Sequence, residues 1–395
     1  MTEESLDVAR LRADTPGCGR VAHLNNCGAG LMPRPVLQAL ADHLALEAEI
    51  GGYEAEAAAE AGLEYTYDAI ARLLNCRRDE VAVVENATVA WDMAFYGFPL
   101  GPGDVVLTAV SEYASNYIAY LQRQRRDGFE VRVVPNDESG QLDVAALATM
   151  IDSRVKLISV THVPTNGGLV NPAAAIGRVA REAGIPFLLD ACQSAGQLPL
   201  DVEAIGCDML TATGRKYLRG PRGTGFLYVR RGLLDRLEPP FLDLHSADWT
   251  AADAFEMRPD ARRFENWESY VAGKLGLGVA VDYALALGLP AIAARVQALA
   301  GRLREGLDAL PGVAMRDLGR ERSGIVSFTV EGVEPDAAVA ALRRQGINIS
   351  SSGAASTRHD MDGRGLPALC RAGVHYYNDE AELERLLEAV AALHR

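Results

Sequence analysis

The chain has 395 residues, of which 49% are hydrophobic and 23% are charged, and its formal net charge is −14. A chain of this length can bury one large hydrophobic core or two medium ones. Its acidic balance argues against nucleic-acid binding, because neutralising phosphates needs patches of Lys and Arg. No run of about 18 or more apolar residues occurs, so no transmembrane helix is expected.

The beginning of the chain and its cysteines bear on location and metal content. The stretch MTEESLDVARLRADTPG is polar and acidic and lacks the basic-then-apolar order of a signal peptide. We therefore expect a cytoplasmic protein. The six cysteines are scattered without a CxxC pair, which favours reduced thiols and argues against a zinc site.

From residue 80 to residue 231, short apolar runs alternate with helical patterns. Strands are predicted at 80–86, 104–110, 129–135 and 155–163, and each is followed by a helix, at 88–98, 114–128, 143–152 and 171–184. Further strands are predicted at 185–191, 207–214 and 224–231, the last two without a long helix between them. This alternation predicts a mainly parallel sheet with helices on both faces, in which ligands sit at the carboxyl ends of strands.

The pattern changes near residue 270. Two long helices are predicted at 269–288 and 289–310, followed by a unit of mixed helices and strands. The predicted fold class is therefore α/β, with a large domain at 31–270 built on the mainly parallel sheet. A smaller C-terminal α+β domain is predicted at 271–395, and an N-terminal segment, 1–30, is expected to join it.

Asp190 ends the apolar strand IPFLLDA. A carboxylate at that position is costly unless it is paired. It either caps the next loop or holds a cation such as a protonated ring nitrogen, and Gln193, three residues on, can point to the same face.

Lys216 follows the strand-like DMLTAT. A lysine with a desolvated amine becomes a nucleophile for aldehydes. The alternative, a solvated surface lysine, is less favoured because lysine is rare in this chain, which has only two other lysines, Lys156 and Lys274. Thr213 and Arg215 supply a hydroxyl and a fixed positive fork, which grip phosphate.

A second anion site is predicted within ENATVAW, where a strand end is followed by a helix N-terminus with Thr88 in its first turn. Together with Lys216 and Asp190, these groups describe a phosphorylated aldehyde cofactor. The aldehyde is bound as an imine to the lysine, the ring nitrogen faces the carboxylate and the phosphate is held at the helix. That cofactor is pyridoxal 5′-phosphate (PLP).

The stretch LLDACQSAGQLPLDVEAIGCDMLTATGRKYLRGPRGTGFLYV resembles the cofactor-binding core of class V aminotransferase-fold enzymes. These are fold-type-I, PLP-dependent enzymes such as cysteine desulfurases and isopenicillin N epimerase-like proteins. The order of elements agrees from HLNNCGAG to RAGVHYYND, nearly the whole chain. The resemblance implies a fold-type-I PLP-dependent transferase with a Schiff base at Lys216.

The resemblance also implies roles for individual residues. Tyr113 in SEYASN stands where the family stacks an aromatic ring on the cofactor, and Arg371 in LCRAG matches the arginine that grips the substrate carboxylate. The segment 263–270, RFENWESY, resembles the one that crosses to the partner subunit's phosphate, which implies a homodimer with shared active sites. The remaining implied contacts are Ala87, Thr88, Thr165, Gln193, Thr213, Arg215, Trp267 and Glu268 for the cofactor, and Gly28, Tyr53 and Asn166 for the substrate.

The chain departs from the desulfurases in one loop. Cysteine desulfurases carry a sulfur-accepting cysteine before this arginine, whereas here the loop reads SSSGAASTRHDMDGRGLPAL and the aligned position is Ser356. This absence argues against cysteine desulfuration. The segment 46–61, with its E-x-GGY pattern, resembles hercynylcysteine sulfoxide lyases and enzymes of cysteine S-conjugates in lincosamide pathways.

We therefore expect a PLP enzyme acting on an S-substituted cysteine as a C–S β-lyase. Transamination and epimerisation remain open alternatives, because each follows the same removal of a proton from the substrate Cα, and decarboxylating deamination remains open through loss of the substrate carboxylate instead. A non-enzymatic binding protein is a further alternative. The retention of Asp190, Lys216 and Arg371 together argues against it, because catalysis is what needs all three.

Overall fold

The structure is a computed structural model, and it describes residues 6–393. The predicted N-terminal segment therefore begins, and the predicted C-terminal domain ends, outside the described residues. The helices are α1 Val8–Ala13, α2 Arg34–Ile50, α3 Gly52–Ala58, α4 Glu60–Leu74, α5 Ala87–Tyr96, α6 Ala114–Asp127, α7 Val144–Met150, α8 Ala173–Ala183, α9 Val202–Ile205, α10 Val271–Leu287, α11 Leu289–Asp308, α12 Pro335–Arg344, α13 Arg358–Gly363 and α14 Glu380–Ala391.

The strands form two larger sheets and two small ribbons. They are β1 Ala22–His23, β2 Val81–Val84, β3 Val105–Ala109, β4 Glu130–Val134, β5 Val155–Thr161, β6 Phe187–Asp190, β7 Met209–Thr213, β8 Gly225–Val229, β9 Ala247–Ala251, β10 Ala254–Met257, β11 Val313–Met315, β12 Ile325–Val330, β13 Ile347–Asn348, β14 Ser350–Gly353 and β15 Ala368–Gly373.

The larger sheet has seven strands in the order β2-β8-β7-β6-β5-β3-β4. The pairs among β4, β3, β5, β6 and β7 are all parallel, whereas β8 runs antiparallel to both of its neighbours. Parallel neighbours need a crossover, usually a helix, and no helix separates β7 from β8. The prediction of a mainly parallel sheet flanked by helices is confirmed.

Apolar residues cover both faces of this sheet. One core continues from its strands into α10, α11 and the C-terminal sheet, and a second packs Trp91, Phe95 and Tyr120 under the opposite face. Because both faces of the sheet are buried, its strands are continuous apolar runs and do not alternate between apolar and polar residues. This is why the strands could be predicted from the sequence.

The C-terminal part holds an antiparallel sheet of order β11-β12-β15-β14. The N-terminal segment touches this part, since β1 pairs in parallel with β13 and Asn25 bridges to Gly373. The division at residues 30 and 270 remains a prediction.

Among the described residues, no single helix is long and apolar enough to cross a membrane. One pair, α10 with α11, meets that test by length and composition only, with a bend of 80° between them.

Candidate active site

Four of the predicted residues follow four adjacent strands. Tyr113 follows β3, Thr165 follows β5, Asp190 ends β6 and Lys216 follows β7. These strands are parallel and neighbour one another in the order β7-β6-β5-β3. Their carboxyl ends therefore meet at one edge of the sheet, and the four residues line that edge.

Asp190 is buried and receives two hydrogen bonds. The backbone N–H of Cys192 donates to its Oδ1 at 2.9 Å, and the Asn116 amide donates to its Oδ2 at 3.0 Å. Burial raises the pKa of Asp190, while these two hydrogen bonds and the charge of Lys216 oppose the rise. The site thus holds an acceptor-only carboxylate in a dry place, which is the environment that favours a cationic partner.

Lys216 lies in a loop whose position is fixed by backbone hydrogen bonds. Its carbonyl accepts the N–H of Arg219 at 3.0 Å, and the preceding carbonyl, of Arg215, accepts the N–H of Gly30 at 2.8 Å. Its amine is close enough to Asp190 and Cys192 to change the pKa of both. No ion pair occupies it among residues 6–393, so the amine is available to a ligand.

The other two lysines are engaged elsewhere. Lys156 donates to the Ser153 carbonyl at 2.9 Å on the surface. Lys274 donates to the Tyr67 hydroxyl at 2.6 Å and lies 3.9 Å from a carboxylate oxygen of Glu265. Lys216 is therefore the lysine that the fold presents at the strand ends.

The start of α5 lies beside the β7–β8 turn. Asn86 caps this helix by accepting the Val89 N–H at 3.0 Å, and Thr88 in its first turn is exposed. A side chain at Gly225 would place its Cβ 2.6 Å from the carbonyl carbon of Asn86 and 2.9 Å from the Ala87 nitrogen, so only glycine permits this approach. Thr213, which pairs with Gly225, is thereby brought to the helix N-terminus.

Arg371 lies in β15, between β12 and β14, and is only 8% exposed. Its Nη1 donates to the Thr165 carbonyl at 2.9 Å and to the Thr165 hydroxyl, and its Nε donates to Ser350 Oγ at 3.3 Å. All of these acceptors are neutral, and no carboxylate pairs with Arg371 in the part of the chain that the structure describes. A buried guanidinium without an anion is suited to bind the carboxylate of a ligand.

Four further predicted residues contact the same region. The Gly28 carbonyl accepts a hydrogen bond from Arg215, which places that guanidinium on the N-terminal segment. Gln193 donates to the Cys27 carbonyl at 3.2 Å, and Asn166 donates to Thr357 Oγ1 at 2.9 Å. The amide oxygens of Gln193 and Asn166 are buried and have no partner among the described residues.

Three predicted residues do not join this cluster within one chain. Tyr53 on α3 is 72% exposed, Trp267 is 58% exposed and Glu268 is exposed as well. The backbone N–H of Trp267 donates to Asp243 Oδ2 at 2.7 Å. Their assigned roles remain predictions.

Two residues of the site were missed by reasoning from the sequence, although SEYASN contains both. Glu112 and Asn116 stand on either side of Tyr113, and Asn116 reaches Asp190 from α6. A polar pair four residues apart at a strand end was the available signal, but the order of the strands is needed to see that the pair faces β6.

The comparison with known families agrees with this geometry. The family profile described as Aminotransferase class-V matches residues 22–386. The chain belongs to the class V aminotransferase family. Its cofactor is PLP, and it is a PLP-dependent enzyme of mixed α/β fold with a mostly parallel central sheet.

The relatives of this class V enzyme have related names. A probable cysteine desulfurase from Xylella fastidiosa is 32% identical, over 98% of this chain and 95% of the relative. The solved apo structure of a cysteine desulfurase from Thermococcus onnurineus is 26% identical with a TM-score of 0.91, covering 100% of this chain and 99% of that one.

A second solved protein, C-DES, bears on the cofactor. One structure shows a mutant with glycine covalently linked to the PLP cofactor; it is 25% identical, has a TM-score of 0.87 and covers 96% of this chain and 98% of that one. Another shows C-DES, a cystine C–S lyase, with its reaction product cysteine persulfide; it is 25% identical, has a TM-score of 0.85 and covers 95% and 99% of the two chains.

The residues of this class V enzyme fit PLP. Asp190 is a buried carboxylate that accepts hydrogen bonds, and within residues 6–393 it forms no ion pair and the buried oxygen of Gln193 lacks a donor. Both need a ligand that brings a positive charge or an N–H or O–H group, which PLP and its amino-acid substrate supply. In the part of the chain that the structure describes, no group of three or more His, Cys, Asp or Glu side chains could hold a metal ion.

The expectation that the missing loop cysteine argues against desulfuration is wrong. The relatives of this class V enzyme include proteins named cysteine desulfurases over nearly the whole chain. Ser356, the aligned position, ends a short turn, Ala354–Ser356, after β14. The error was to treat one route for the sulfur atom as the only one, and the preference for an S-substituted cysteine over cysteine itself fails with it.

Proposed function

We propose that this enzyme breaks the C–S bond of cysteine with PLP bound at Lys216. The observation that carries the proposal is the similarity to a probable cysteine desulfurase over 98% of this chain. The cluster of Lys216, Asp190 and Arg371 supports it, because it offers an amine for an aldehyde, a carboxylate for a ring nitrogen and a cation for an amino-acid carboxylate.

We assign the cofactor contacts residue by residue. Lys216 holds the aldehyde covalently, Asp190 accepts a hydrogen bond from the ring nitrogen and Tyr113 stacks on the ring. The N-terminus of α5, with Ala87 and Thr88, takes the phosphate together with Thr213. Bound PLP supplies an aldehyde carbon that joins an amine and a ring that accepts electron density from the substrate.

The substrate side is assigned to the C-terminal sheet. Arg371 binds the α-carboxylate, and because Thr165 and Ser350 hold its Nη1 and Nε, its orientation is set before the substrate arrives. Asn166 and Gln193 present their unpaired oxygens nearby. With PLP bound, Lys216 Nζ would be the base that removes the proton from the substrate Cα and returns one, because its amine lies at the strand ends beside Asp190.

Cystine is a second candidate substrate. The segment 350–369 has hydroxyls but no thiol, so the departing sulfur needs another carrier. In cystine that carrier is the other half of the substrate, and cystine with water yields pyruvate, ammonia and cysteine persulfide. The similarity to C-DES, named a cystine C–S lyase, favours this candidate.

The test supplies holoenzyme with cysteine or cystine, in the presence and absence of an added thiol, and measures sulfide, persulfide, alanine and pyruvate. Alanine with persulfide indicates desulfuration, in which the acceptor thiol takes the sulfur. Pyruvate with ammonia indicates elimination. Conversion of the cofactor to its amine form with no release of sulfur would indicate an aminotransferase and refute the proposal. Lys216→Ala is the inactive control, and Lys156→Ala is the matched lysine variant.

We also propose a homodimer located in the cytoplasm. Large apolar side chains are exposed on the ribbon of β9 and β10 and next to it, at Phe241, Leu244, Trp249, Phe255 and Trp267. Such a patch on a single chain favours burial against another surface, and a two-stranded ribbon is marginal alone. Light scattering gives the mass, and a single Trp267→Ala variant that remains dimeric but loses cofactor affinity would support a shared site.

A further inference from the structure

Glu112 is a fully buried carboxylate next to the proposed cofactor site. Its Oε1 accepts the backbone N–H of Tyr113 at 3.0 Å, the Asn116 amide at 2.8 Å and the Thr161 hydroxyl. Its Oε2 accepts the Thr108 hydroxyl at 3.0 Å and the backbone N–H of Thr161 at 3.1 Å. Five donors thus converge on one side chain, and two of them are backbone N–H groups, which can donate a hydrogen bond but cannot accept one.

Asn116 connects this carboxylate to Asp190. Its Nδ2 donates to Glu112 Oε1 at 2.8 Å and to Asp190 Oδ2 at 3.0 Å, so its two amide hydrogens lie between two carboxylates. With Asp190 alone, a single hydrogen bond would hold the amide, which could turn away from the carboxylate. Glu112 Oε1 accepts a second hydrogen bond from the same NH₂ group, so the amide is held between two acceptors and its oxygen is kept away from both.

Few charged groups surround the hydrogen bonds by which Asn116 connects Glu112 to Asp190. Burial raises the pKa of Glu112 to about 7, and the charge of Asp190 adds to the rise, while the Thr161 and Asn116 donors lower it. The other titratable groups that face the pair are Lys216 and Cys192 on the Asp190 side and Tyr120 on the Glu112 side. Keeping two carboxylates this close is unfavourable without a reason specific to the site.

We propose that Glu112 is a positioning residue that acts through Asn116. It fixes the amide so that Asp190 always receives a hydrogen bond on Oδ2, and it also anchors the backbone of Tyr113. Asp190 then stays ionised and oriented, ready to accept the ring nitrogen of the cofactor. The inference rests on the proposed role of Asp190 in the site.

The test measures the dissociation constant of PLP from the full-length protein as a function of pH, by fluorescence. In Glu112→Gln, the remaining oxygen is neutral and the side-chain NH₂ group must face a backbone N–H at either position, so the hold on the Asn116 amide is weakened and the amide can turn away from Asp190. Loss of one hydrogen bond to a charged group weakens PLP binding roughly 10-fold. The same loss raises the pKa of Asp190, so the midpoint of the acid limb moves up by about one pH unit relative to the unmodified protein.

A through-space effect of the Glu112 charge has the opposite sign, because removing a negative neighbour lowers the pKa of Asp190. A downward shift of the acid limb would therefore overturn the inference. Glu112→Asp keeps the charge but withdraws the carboxylate from Asn116, so it must also shift the limb upward. It serves as the second variant if Glu112→Gln does not fold. In an Asn116→Ala background, Glu112→Gln must add no further upward shift.

Glu80→Gln is the matched control. Glu80 is also a buried carboxylate that accepts two backbone N–H groups, of Arg77 at 3.0 Å and Arg231 at 2.8 Å, and it lies at the opposite edge of the sheet. If Glu80→Gln changes PLP binding as much as Glu112→Gln, the role is merely structural and the inference fails. Asp190→Asn separates the two proposals: unchanged PLP affinity there would refute the site assignment itself.

Discussion

The binding of the substrate carboxylate by Arg371 gives the sharpest test of the proposed site. The guanidinium is buried, its Nη1 and Nε are held by Thr165 and Ser350, and no carboxylate pairs with it among residues 6–393. Arg371→Ala removes two charge-assisted hydrogen bonds to the substrate, each about 1.5–3 kcal/mol. Together they amount to roughly 3–6 kcal/mol, so kcat/KM for cysteine should fall by about 10²- to 10⁴-fold.

The assay compares cysteine with cysteamine, which has the same amine and thiol but no carboxylate. Sulfide release is measured for both substrates, and the affinity for PLP is measured separately. Arg371→Ala should spare cysteamine and PLP, and Arg371→Lys should keep part of the activity on cysteine because it retains the charge but not the fork. An equal loss on both substrates would refute the reasoning, since Arg371 would then support the fold rather than bind the carboxylate.

Three further predictions concern the cofactor, the packing and the effect of pH. Borohydride should fix PLP covalently to the unmodified protein and to the Lys274→Ala variant but not to Lys216→Ala, as read by the mass of the labelled peptide, and label retained without Lys216 would exclude the assignment. Gly225→Ala should lower stability by about 1–3 kcal/mol, because its Cβ would lie 2.6 Å from Asn86, whereas Gly232→Ala, with nothing within 4 Å, should not; urea titration compares them. Burial lowers the pKa of His162 to about 4, so the unfolded chain takes up a proton that the folded one refuses, and stability is lost as pH falls from about 6.5 towards 4. His162→Gln should flatten that part of the curve of melting temperature against pH, and an unchanged slope would contradict the buried neutral ring.

The sequence by itself was enough to predict the parallel sheet, the family and the cofactor. Strands buried on both faces are unbroken apolar runs, and the stretch from Asp190 to Lys216 places a carboxylate and an amine after two of them. The missing helix between 213 and 225 also explains the antiparallel strand β8. Such features are local in the chain, so spacing alone reveals them.

Only the tertiary structure shows the contacts that depend on the order of the strands and on segments far apart in the chain. Arg371 meets Thr165 across 206 residues because β15 of the C-terminal sheet lies against the loop that follows β5. Asn116 meets Asp190 across 74 residues because β3, β5 and β6 are neighbours although other elements separate them in the chain. The sulfur chemistry was misjudged for a related reason. A single missing cysteine excludes one acceptor for the sulfur and not the reaction, whereas similarity along the whole chain reports on the entire site.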